Sequence, residues 1–302
     1  MVSAEAVSAG SLQLHGRGLS PSSGNEMARG QPVRKRGSVP PPVITLTTDF
    51  GSGDYVAAMR GVILGVNPRA VIVDLDHGIR AHDIRHGAYA LFAAAPFFPN
   101  GIHVGVVDPG VGTERRPVAF LCKDGAFVGP DNGLLFPAAR QAAIRQVRHL
   151  TNRKLFRPGV SDTFHGRDIF APVAAHLSLG LQGAKLGPVI DDYVRLDFGA
   201  PIVSKTEVRG SVLTVDRFGN VITNIPRAAI EDRTRSGRRL RAQVGGYELE
   251  LSLLPAYGLG RVGEFLATFS SSGFLEIARR EGRAADQLAA APGTPVAVQF
   301  SG

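Results

Sequence analysis

Short β-branched runs that alternate with amphipathic segments constrain the fold of this 302-residue chain more than any other feature. Four such runs flank two segments, residues 54–68 and 82–98, whose apolar residues recur at helical spacing. The strand-like runs are VITLTT, AVIVDL, IHVGVVD and GAFVGP. Because strand, helix and strand in succession form a βαβ unit, this order predicts an α/β fold with a mainly parallel, Rossmann-like sheet over residues 43–200. A third helix is expected over residues 167–180, with Gly180 in the left-handed conformation at its end.

The pattern changes after about residue 200, where short alternating runs separated by glycine turns follow one another. These runs are SVLTVD, NVITNI, RRLRAQVGG, YELELSLL, EFLATF and VAVQF. One stretch, LEIARREGRAADQLAA at residues 275–290, is expected to form a helix between them. Many short strands with turn signals are typical of closed or two-layered β structures, so residues 201–302 are predicted to form a smaller, mostly antiparallel barrel or sandwich domain.

Residues 1–42 are rich in Gly, Ser, Pro and Arg, show no helical or strand period and end in three consecutive prolines. Such a composition buries too little apolar surface to offset the entropy of ordering, so a disordered tail is predicted. The tail is similar in composition to a transit peptide, although it lacks a clear amphipathic helix. A true start at Met27 explains the same composition, and both interpretations stay open.

The formal net charge of +8 does not form a nucleic-acid-binding patch in the sequence. The tail holds five of the basic residues and two of the acidic ones, and no long basic block follows apart from residues 236–241. No apolar run approaches the roughly 20 residues needed to cross a bilayer. The single cysteine, Cys122, can form no internal disulfide and is expected to be buried and inert. We therefore expect neither nucleic acid nor membrane as a partner, and a reducing, cytoplasmic setting.

Aspartates end two of the predicted parallel strands, which is where ligands bind in open α/β sheets. Asp49, in TTDFGSGDY, can accept two hydrogen bonds from a ribose diol, and N-capping of the next helix is an equally good interpretation. Asp108 ends another strand in HVGVVDPGVGTERR, and Arg115 follows seven residues later. A loop arginine at this distance can return to hold the carboxylate ionised. Asp-Pro-Gly is also an ordinary turn sequence, so both interpretations of Asp108 remain.

His165 lies just before a predicted helix in TFHGRDIF, and Asp168 lies in the first helical turn. An imidazole titrates near neutral pH and can act as a general base or orient a water molecule. Capping or packing is the more common role of a lone histidine at such a place. Asp168 is expected to be structural, because the helix dipole stabilises a negative charge there.

Three further groups of polar residues carry weaker signals. Asp131 and Asn132 precede Gly133 in VGPDNG, which is typical of a turn. His82 and His86 have the i, i+4 spacing of two metal ligands on one helix face, but nearby arginines disfavour a cation, so no metal is expected. In VDRFGNVITN, an aspartate, a phenylalanine and an asparagine cluster at one hairpin end, where an aromatic face beside an amide suits a purine. An ordinary turn with a core phenylalanine explains that segment at least as well.

The order and spacing of these motifs resemble one family. The matching stretches extend from about Ile44 to Ile277 and comprise ITLTTDFGSGDYV, VGVVDPGVGTERR, VGPDNG, TFHGRDIFAP, VDRFGNVITNI and SSSGFLEIA. DPGVGTERR and TFHGRD are highly specific, whereas TTDFG alone is not. The chain resembles the S-adenosylmethionine (SAM) hydroxide adenosyltransferases, also called the DUF62 family, which are related to fluorinases and chlorinases.

The resemblance implies hydrolysis of SAM to adenosine and methionine by attack of water or hydroxide on the ribose C5′. It implies an N-terminal α/β domain, a C-terminal β-barrel, no cofactor, and a homotrimer whose substrate lies between the first domain of one subunit and the second domain of another. The implied catalytic residues are Asp108, Arg115 and His165. The implied substrate-binding residues are Asp49 for the ribose hydroxyls, Phe164 as a pocket wall, Phe218, Asn220 and Tyr257 for adenine, and Asp216, Ser271 and Glu276 for the methionyl end or the adenine edge.

The chain departs from the halogenating relatives at several positions. They carry an aromatic hydroxyl in place of Asp108, no histidine in place of His165, and a threonine where this chain has Val111. The VDRF hairpin is also one residue shorter than the halogenase form, so the substrate contact of Asp216 cannot be carried over. Two alternatives remain: a halide-dependent SAM adenosyltransferase of the same fold, and a non-catalytic sensor of SAM or adenosine. The intact catalytic set disfavours the sensor.

Overall fold

The computed structural model describes residues 40–231, 233 and 239–300. The predicted disorder of the tail and the alternative start at Met27 fall on residues outside these ranges, apart from the last three prolines. Contacts join Pro41–Gly302 into one compact unit, so a domain boundary near residue 200 stays a prediction. Among the described helices, none is long and apolar enough to cross a membrane.

The first sheet contains the predicted N-terminal strands and has seven strands within the described residues. They are β1 (Val43–Thr48), β2 (Val71–Asp76), β3 (Ile102–Val106), β4 (Pro117–Cys122), β5 (Gly125–Pro130), β6 (Ile144–His149) and β7 (Val189–Ile190). Their order is β2-β1-β3-β5-β4-β6-β7. β1 pairs in parallel with β2 and β3, and β3 with β5, whereas β4, β6 and β7 pair antiparallel. The predicted α/β class is confirmed, and the antiparallel half comes from strands that the sequence pattern did not indicate.

Helices cover both faces of this sheet. They are α1 (Asp54–Val66), α2 (Ile84–Ala94), α3 (Phe136–Gln141) and α4 (Ala171–Ser178). α1 and α4 pack on the face that carries Ile44 and Leu46, and α2 and α3 pack on the opposite face with Phe127. Because side chains alternate between the faces of a strand, a sheet covered on both sides needs nearly continuous apolar runs, as found here. α1 ends at Val66, where the proline at position 68 disfavours helical conformation in the preceding residue.

The third predicted helix is present in two parts. A π-helical turn, Gly166–Phe170, comes first and leads directly into α4. Gly180 follows the end of α4 with a φ of 85°, so the predicted left-handed position is confirmed. A π-helical turn inside a helix is uncommon and is frequently found at functional sites.

The C-terminal strands close into a barrel. They are β8 (Ile202–Val203), β9 (Glu207–Val215), β10 (Val221–Pro226), β11 (Arg239–Val244), β12 (Tyr247–Leu253), β13 (Phe265–Phe269), β14 (Phe274–Arg279) and β15 (Pro295–Gln299). The order β10-β14-β13-β12-β11-β15-β9 returns to its start because β9 also pairs with β10. Only the β12–β13 pair of this described barrel is parallel. The predicted mostly antiparallel barrel is confirmed, with two short helices beside it, α5 (Arg227–Glu231) and α6 (Ala284–Gln287).

The helix predicted over residues 275–290 is wrong for its first half. Residues 274–279 form β14, which pairs with β10 on one side and β13 on the other. Leu, Glu, Ala and Arg favour helix by intrinsic propensity, but Leu275 and Ile277 are fully buried in the barrel core. Tertiary burial between two neighbouring strands therefore outweighs local propensity.

The barrel packs on the outer side of α2. Tyr89 and Phe92 of α2 contact the rings of Phe198 and Phe274, with centroids 5.4 to 6.5 Å apart. The Tyr89 hydroxyl lies 3.2 Å from the Ser272 Oγ. This aromatic cluster fixes the barrel against the first sheet within one chain.

Candidate active site

The two strand-end aspartates come together at one edge of the first sheet. β1 and β3 are parallel neighbours, so the segments that follow them, with Asp49 and Asp108, leave the sheet at the same edge. The backbone N–H of Asp49 donates to the carbonyl oxygen of Val106, the last residue of β3, at 3.4 Å. The sheet topology therefore brings both residues to the edge where the sequence predicted a site.

Asp108, Arg115 and His165 form one hydrogen-bonded cluster, in which His165 is partly buried. Arg115 donates from Nε to Asp108 Oδ1 at 3.1 Å and from Nη2 to Asp108 Oδ2 at 2.5 Å. The same Nη2 lies 2.9 Å from His165 Nδ1. The side chains of Asp108 and Arg115 are only 5% and 8% exposed, so their ion pair is largely screened from water. The Asp-Pro-Gly turn is also present, because the Val111 N–H donates to the Asp108 carbonyl oxygen.

The environment determines the protonation of this cluster. Burial raises the pKa of Asp108, and the charge and hydrogen bonds of Arg115 offset part of that rise. Burial and the charge of Arg115 lower the pKa of His165, so the neutral imidazole is favoured near pH 7. A guanidinium can only donate hydrogen bonds, so His165 Nδ1 accepts and the ring proton lies on Nε2. Arg115 thus selects one tautomer of His165.

One donor of the cluster is left for a ligand. Arg115 Nη1 is buried and has no hydrogen-bond partner among the described residues. A buried donor without a partner costs about 1 to 3 kcal/mol, and more when it is charged. A water molecule or a substrate oxygen that accepts from Nη1 removes this cost, so the cluster is built to hold an additional polar group.

Asp49 is held by a neighbouring loop and does not cap a helix. The N-cap of α1 is Gly53, so the capping interpretation is wrong. Asp49 Oδ2 accepts the backbone N–H of His82 at 2.9 Å. Thr48 Oγ1 lies 2.8 Å from His77 Nδ1, and the His77 carbonyl accepts the Gly51 N–H at 2.8 Å. The loop after β2 therefore fixes the turn that presents Asp49.

The two histidines considered as metal ligands do not share a helix face. His82 precedes α2, with a φ of 67°, and Asp83 caps this helix through the N–H of His86. The i, i+4 prediction is wrong because the helix begins two residues after His82. Within the described ranges, no group of three or more His, Cys, Asp and Glu is arranged to hold a metal ion.

Phe164 forms an aromatic wall beside this edge together with two rings that the sequence analysis did not assign. Its ring centroid is 5.8 Å from that of Phe50 and 5.1 Å from that of Tyr55. Phe164 is buried, whereas Tyr55 is half exposed. The available signal in the sequence was an aromatic residue in the first turn of the predicted helix, directly after the Asp49 motif.

The remaining polar motifs near this edge are structural. Asp131 accepts two hydrogen bonds from Arg116 and one from the Val194 N–H. Asn132 donates to the Val107 carbonyl at 2.8 Å, which confirms the loop-forming interpretation.

Cys122 is buried, and burial raises the pKa of its thiol to about 12, as expected for an inert cysteine.

The hairpin between β9 and β10 presents an aromatic ring above a turn. Phe218 is 72% exposed, although a core phenylalanine was the alternative, so that alternative is wrong. Asp216 Oδ1 accepts the N–H groups of Phe218 and Asn220 at 2.9 and 2.8 Å, and its Oδ2 accepts from the Asn220 amide at 3.0 Å. Asp216 is thus the residue that shapes the turn.

Tyr257 and Glu276 form a pair near this hairpin. The Tyr257 hydroxyl donates to Glu276 Oε1 at 2.6 Å. Glu276 is buried, and both burial and the charge of Asp216 raise its pKa. Ser271 is exposed on the turn that precedes β14.

The predicted site residues lie in two separate places within one chain. His165 borders a depression of about 760 Å³ together with Gly112 and Asp162. Phe218, Asn220 and Tyr257 border another depression, of about 880 Å³. Among the described residues, none borders both depressions. Within one chain, the first sheet and the barrel hairpin therefore border different depressions.

An α/β sheet that groups a carboxylate, a guanidinium and an imidazole at one edge and is joined to a closed β-barrel points to an enzyme of the α/β class. The SAM hydroxide adenosyltransferase N-terminal domain matches residues 44–187, and the C-terminal domain of the same family matches residues 210–297. The chain belongs to the SAM hydroxide adenosyltransferase family.

Named relatives and solved structures agree with this membership. The chain is 41% identical to an (R)-S-adenosyl-L-methionine hydrolase of Salinispora tropica, over 84% of this chain and 96% of the relative. It is 40% identical to a hydrolase of the same name from Thermus thermophilus, over 82% and 96%. A fluorinase of Nocardia brasiliensis is 29% identical, over 79% and 90%. The crystal structure of an uncharacterized conserved protein from Thermotoga maritima has a TM-score of 0.81 at 37% identity, over 85% of this chain and 99% of that one.

Proposed function

We propose that this protein hydrolyses SAM to adenosine and L-methionine by attack of water on the ribose C5′. The Asp108–Arg115–His165 cluster, whose buried Arg115 Nη1 donor has no partner among the described residues, carries the proposal. Four relatives that are 36–41% identical to this chain are named SAM hydrolases, which supports the same reaction here. We assign the catalytic role to these three residues.

The reaction needs an aligned nucleophile more than an acid. The water oxygen forms a bond to C5′ while the C5′–S bond breaks. The electron pair of the breaking C5′–S bond stays on sulfur and neutralises its positive charge. The leaving thioether therefore needs no proton. Holding the water in line and partly desolvated supplies most of the rate enhancement.

The three residues divide the work on the water. Because Nδ1 of His165 accepts from Arg115, the neutral ring offers an Nε2–H donor that orients the water and does not remove its proton. The Asp108 carboxylate keeps unused lone pairs, and its raised pKa favours proton uptake. Asp108 is therefore a better proton acceptor than His165, whose ring presents an N–H to the water. Arg115 holds both groups and offers Nη1 to the oxygen. The water loses its proton to Asp108 as the C–O bond forms.

The substrate residues are assigned to two groups. In the first group Asp49 binds the ribose hydroxyls and Phe164 forms the pocket wall. The second group holds adenine and the methionyl end and consists of Phe218, Asn220, Tyr257, Asp216, Ser271 and Glu276. Because Asp216 shapes its own turn, we assign it an indirect part in binding.

We propose a homotrimer in which these two groups meet between neighbouring subunits. The separation of the two depressions within one chain supports this arrangement. SAM is then enclosed by the strand ends of one copy and the hairpin of the next.

The configuration at sulfur is part of the proposal. The relatives are named (R)-S-adenosyl-L-methionine hydrolases, and because L already fixes the configuration at Cα, R describes the sulfonium centre. We propose the same epimer as the preferred substrate here. Turnover of the two separated sulfonium epimers measures this preference, and equal kcat/KM for both would remove it.

Oxygen-18 water tests the reaction directly. We expect one labelled oxygen in adenosine and none in methionine. Unlabelled adenosine would exclude attack by water, and stoichiometric binding of SAM without product would indicate a sensor. His165→Ala and Asp108→Ala are expected to lose turnover but retain SAM binding.

A halide-dependent transferase is the second candidate, because fluorinases are among the relatives. Val111, Asp108 and His165 disfavour it. Chloride or fluoride that accelerated SAM consumption and appeared in the product would reverse this choice. We also propose that the reaction needs no metal and takes place in the cytoplasm; full activity after dialysis against EDTA is the expected result for the former.

A further inference from the structure

Asp168 is a buried carboxylate three residues after His165. It is 0% exposed and lies within the π-helical turn. Its Oδ1 accepts from Arg157 Nη1 and from Arg167 Nε, both at 2.7 Å. Its Oδ2 accepts from Arg167 Nη2 at 2.8 Å and from the Ser161 N–H at 3.0 Å. The helix dipole alone does not account for this residue, because its carboxylate accepts four hydrogen bonds, three from arginine side chains and one from the backbone.

These bonds join the loop at 157–161 to the turn that carries His165. The backbone adds two more connections, from the Asp168 N–H to the Phe164 carbonyl at 3.1 Å and from the Arg157 N–H to the Asp168 carbonyl at 2.9 Å. The next residue of the loop, Asp162, packs against the Asp108 segment, where its carbonyl leaves no room for a side chain on Gly112. The carboxylate thus connects both segments that place the catalytic cluster.

Asp168 is charged at neutral pH. Burial alone raises the pKa of Asp168, but the hydrogen bonds of Arg167, Ser161 and Arg157 outweigh it and lower the pKa to about 2. Arg115, Asp108, Asp162 and Asp168 are the charged groups that act on His165, from the Asp108 loop, the 157–162 loop and the π-helical turn. The negative charge of Asp168 favours a protonated imidazole, so its removal lowers the pKa of His165 further.

We propose that Asp168 is a positioning residue for the reaction, because its buried carboxylate locks the π-helical turn to the 157–161 loop and so holds the His165 ring against Arg115. The proposal rests on the proposed function for its kinetic consequence only. It does not make Asp168 a catalytic residue, since the carboxylate faces Arg157, Arg167 and Ser161 and not the reacting atoms.

Asp168→Asn tests the proposal with little change in side-chain shape. An amide nitrogen cannot accept a hydrogen bond from an arginine, so Asp168→Asn loses at least one of the four hydrogen bonds that the carboxylate accepts. A small displacement of a catalytic group costs up to about 100-fold in rate, so we expect kcat to fall by about 10- to 100-fold while KM for SAM changes by less than about twofold. Glu250→Gln, which removes an exposed ion pair with Arg239 on the barrel, is the control and should leave kcat unchanged.

A second measurement distinguishes positioning from general stability. The ¹⁵N signals of His165, identified by their loss in His165→Gln, report which ring nitrogen carries the proton. We expect one Nε2–H tautomer in the wild type and a mixture in Asp168→Asn. This measurement uses ligand-free protein, so it tests the proposal even if the wild type fails to hydrolyse SAM.

The outcomes separate clearly. If Asp168→Asn does not fold, Arg157→Gln takes its place, because it removes only the hydrogen bond from Arg157 to Asp168 and changes a partly exposed side chain. It should lower kcat and shift the His165 tautomer in the same direction, but by less. A folded Asp168→Asn with wild-type kcat would overturn the proposal. So would a loss of kcat and thermal stability with an unchanged His165 tautomer, because that result indicates a merely structural residue.

Discussion

At the residue scale, the site depends on polar groups that the fold removes from water. Arg115 is charged, 8% exposed and shared between a carboxylate and an imidazole. In water such a guanidinium would be mobile and hydrated. Here its fixed geometry selects the tautomer of His165 and leaves one donor for a ligand. The same burial lets other polar groups of the first sheet affect stability in a pH-dependent way.

His103 should make folding sensitive to acid. It is buried on β3 beside Thr45 and Phe127, and burial lowers its pKa from 6.5 to about 4. The unfolded chain therefore binds more protons between these values, and stability is lost as pH falls from 6.5 through 4. The expected loss is about 3 kcal/mol. Urea unfolding at several pH values measures it, and His103→Gln should reduce the dependence on pH in this range, while other histidines with lowered pKa values keep part of it. An unchanged slope would contradict the assignment.

His82 should tolerate glycine better than valine. Its φ of 67° is costly for residues with a β-carbon, yet this conformation directs its N–H to Asp49. His82→Gly relieves that strain and is expected to leave stability within about 1 kcal/mol and KM unchanged. His82→Val should lose about 1 to 3 kcal/mol and raise KM, because a β-branched residue is a genuine outlier there. Equal KM values in the two variants would show that this hydrogen bond does not support substrate binding.

At the scale of elements, loops do more than strands to assemble the site. The Asp108 loop, the 157–162 loop and the π-helical turn touch one another, and backbone contacts between them leave little room. The strands only deliver these segments to one edge of the sheet. A disturbance of loop contact should therefore affect catalysis more than folding.

Gly112 and Gly159 form a matched pair for this idea. Both have left-handed φ values, 76° and 70°, so alanine costs about 1 kcal/mol of backbone strain at either position. A β-carbon at Gly112 would also meet the Asp162 carbonyl, whereas none of the described atoms lies within 4 Å of one at Gly159. We expect Gly112→Ala to lower kcat by at least about tenfold and Gly159→Ala to retain it. Similar kcat values in the two variants would show that loop contact is not critical.

At the scale of the whole molecule, one chain carries the proposed site residues in two groups, one at the edge of the first sheet and one on the barrel. The cluster at the strand ends and the ring on the hairpin border different depressions. Closed symmetric oligomers bring different surfaces of identical chains together, and a head-to-tail ring of three copies is one such arrangement.

Mixed subunits test where the site is completed. His165→Ala and Asn220→Ala are each expected to be inactive, because one damages the sheet group and the other the hairpin group. If sites form between neighbouring copies, about a quarter of the interfaces in an equimolar, randomly reassembled mixture combine two intact groups. About a quarter of wild-type activity should return. No recovery after verified subunit exchange would place each site within one chain.

The sequence by itself determined most of the local elements and the family to which the chain belongs. Apolar runs with period 2 and period 3.6 are read by backbone geometry alone, so β1, α1, α2 and most barrel strands follow from them. Asp108, Arg115 and His165 were recognised through specific motifs, because their types and spacing are preserved in the chain itself. The barrel class agrees with these local signals, whereas the antiparallel half of the first sheet was not predicted from them.

Where local signals conflict with burial, only the tertiary structure decided which secondary structure formed. Residues 274–279 became a strand because two neighbouring strands bury Leu275 and Ile277, an effect that helix propensity does not contain. Arg115 selects the His165 tautomer although the two residues are 50 positions apart in the chain. Asp168 likewise accepts a hydrogen bond from Arg157 of another loop. Such contacts depend on the three-dimensional approach of loops. Local sequence patterns cannot encode a distance between segments that meet only after folding.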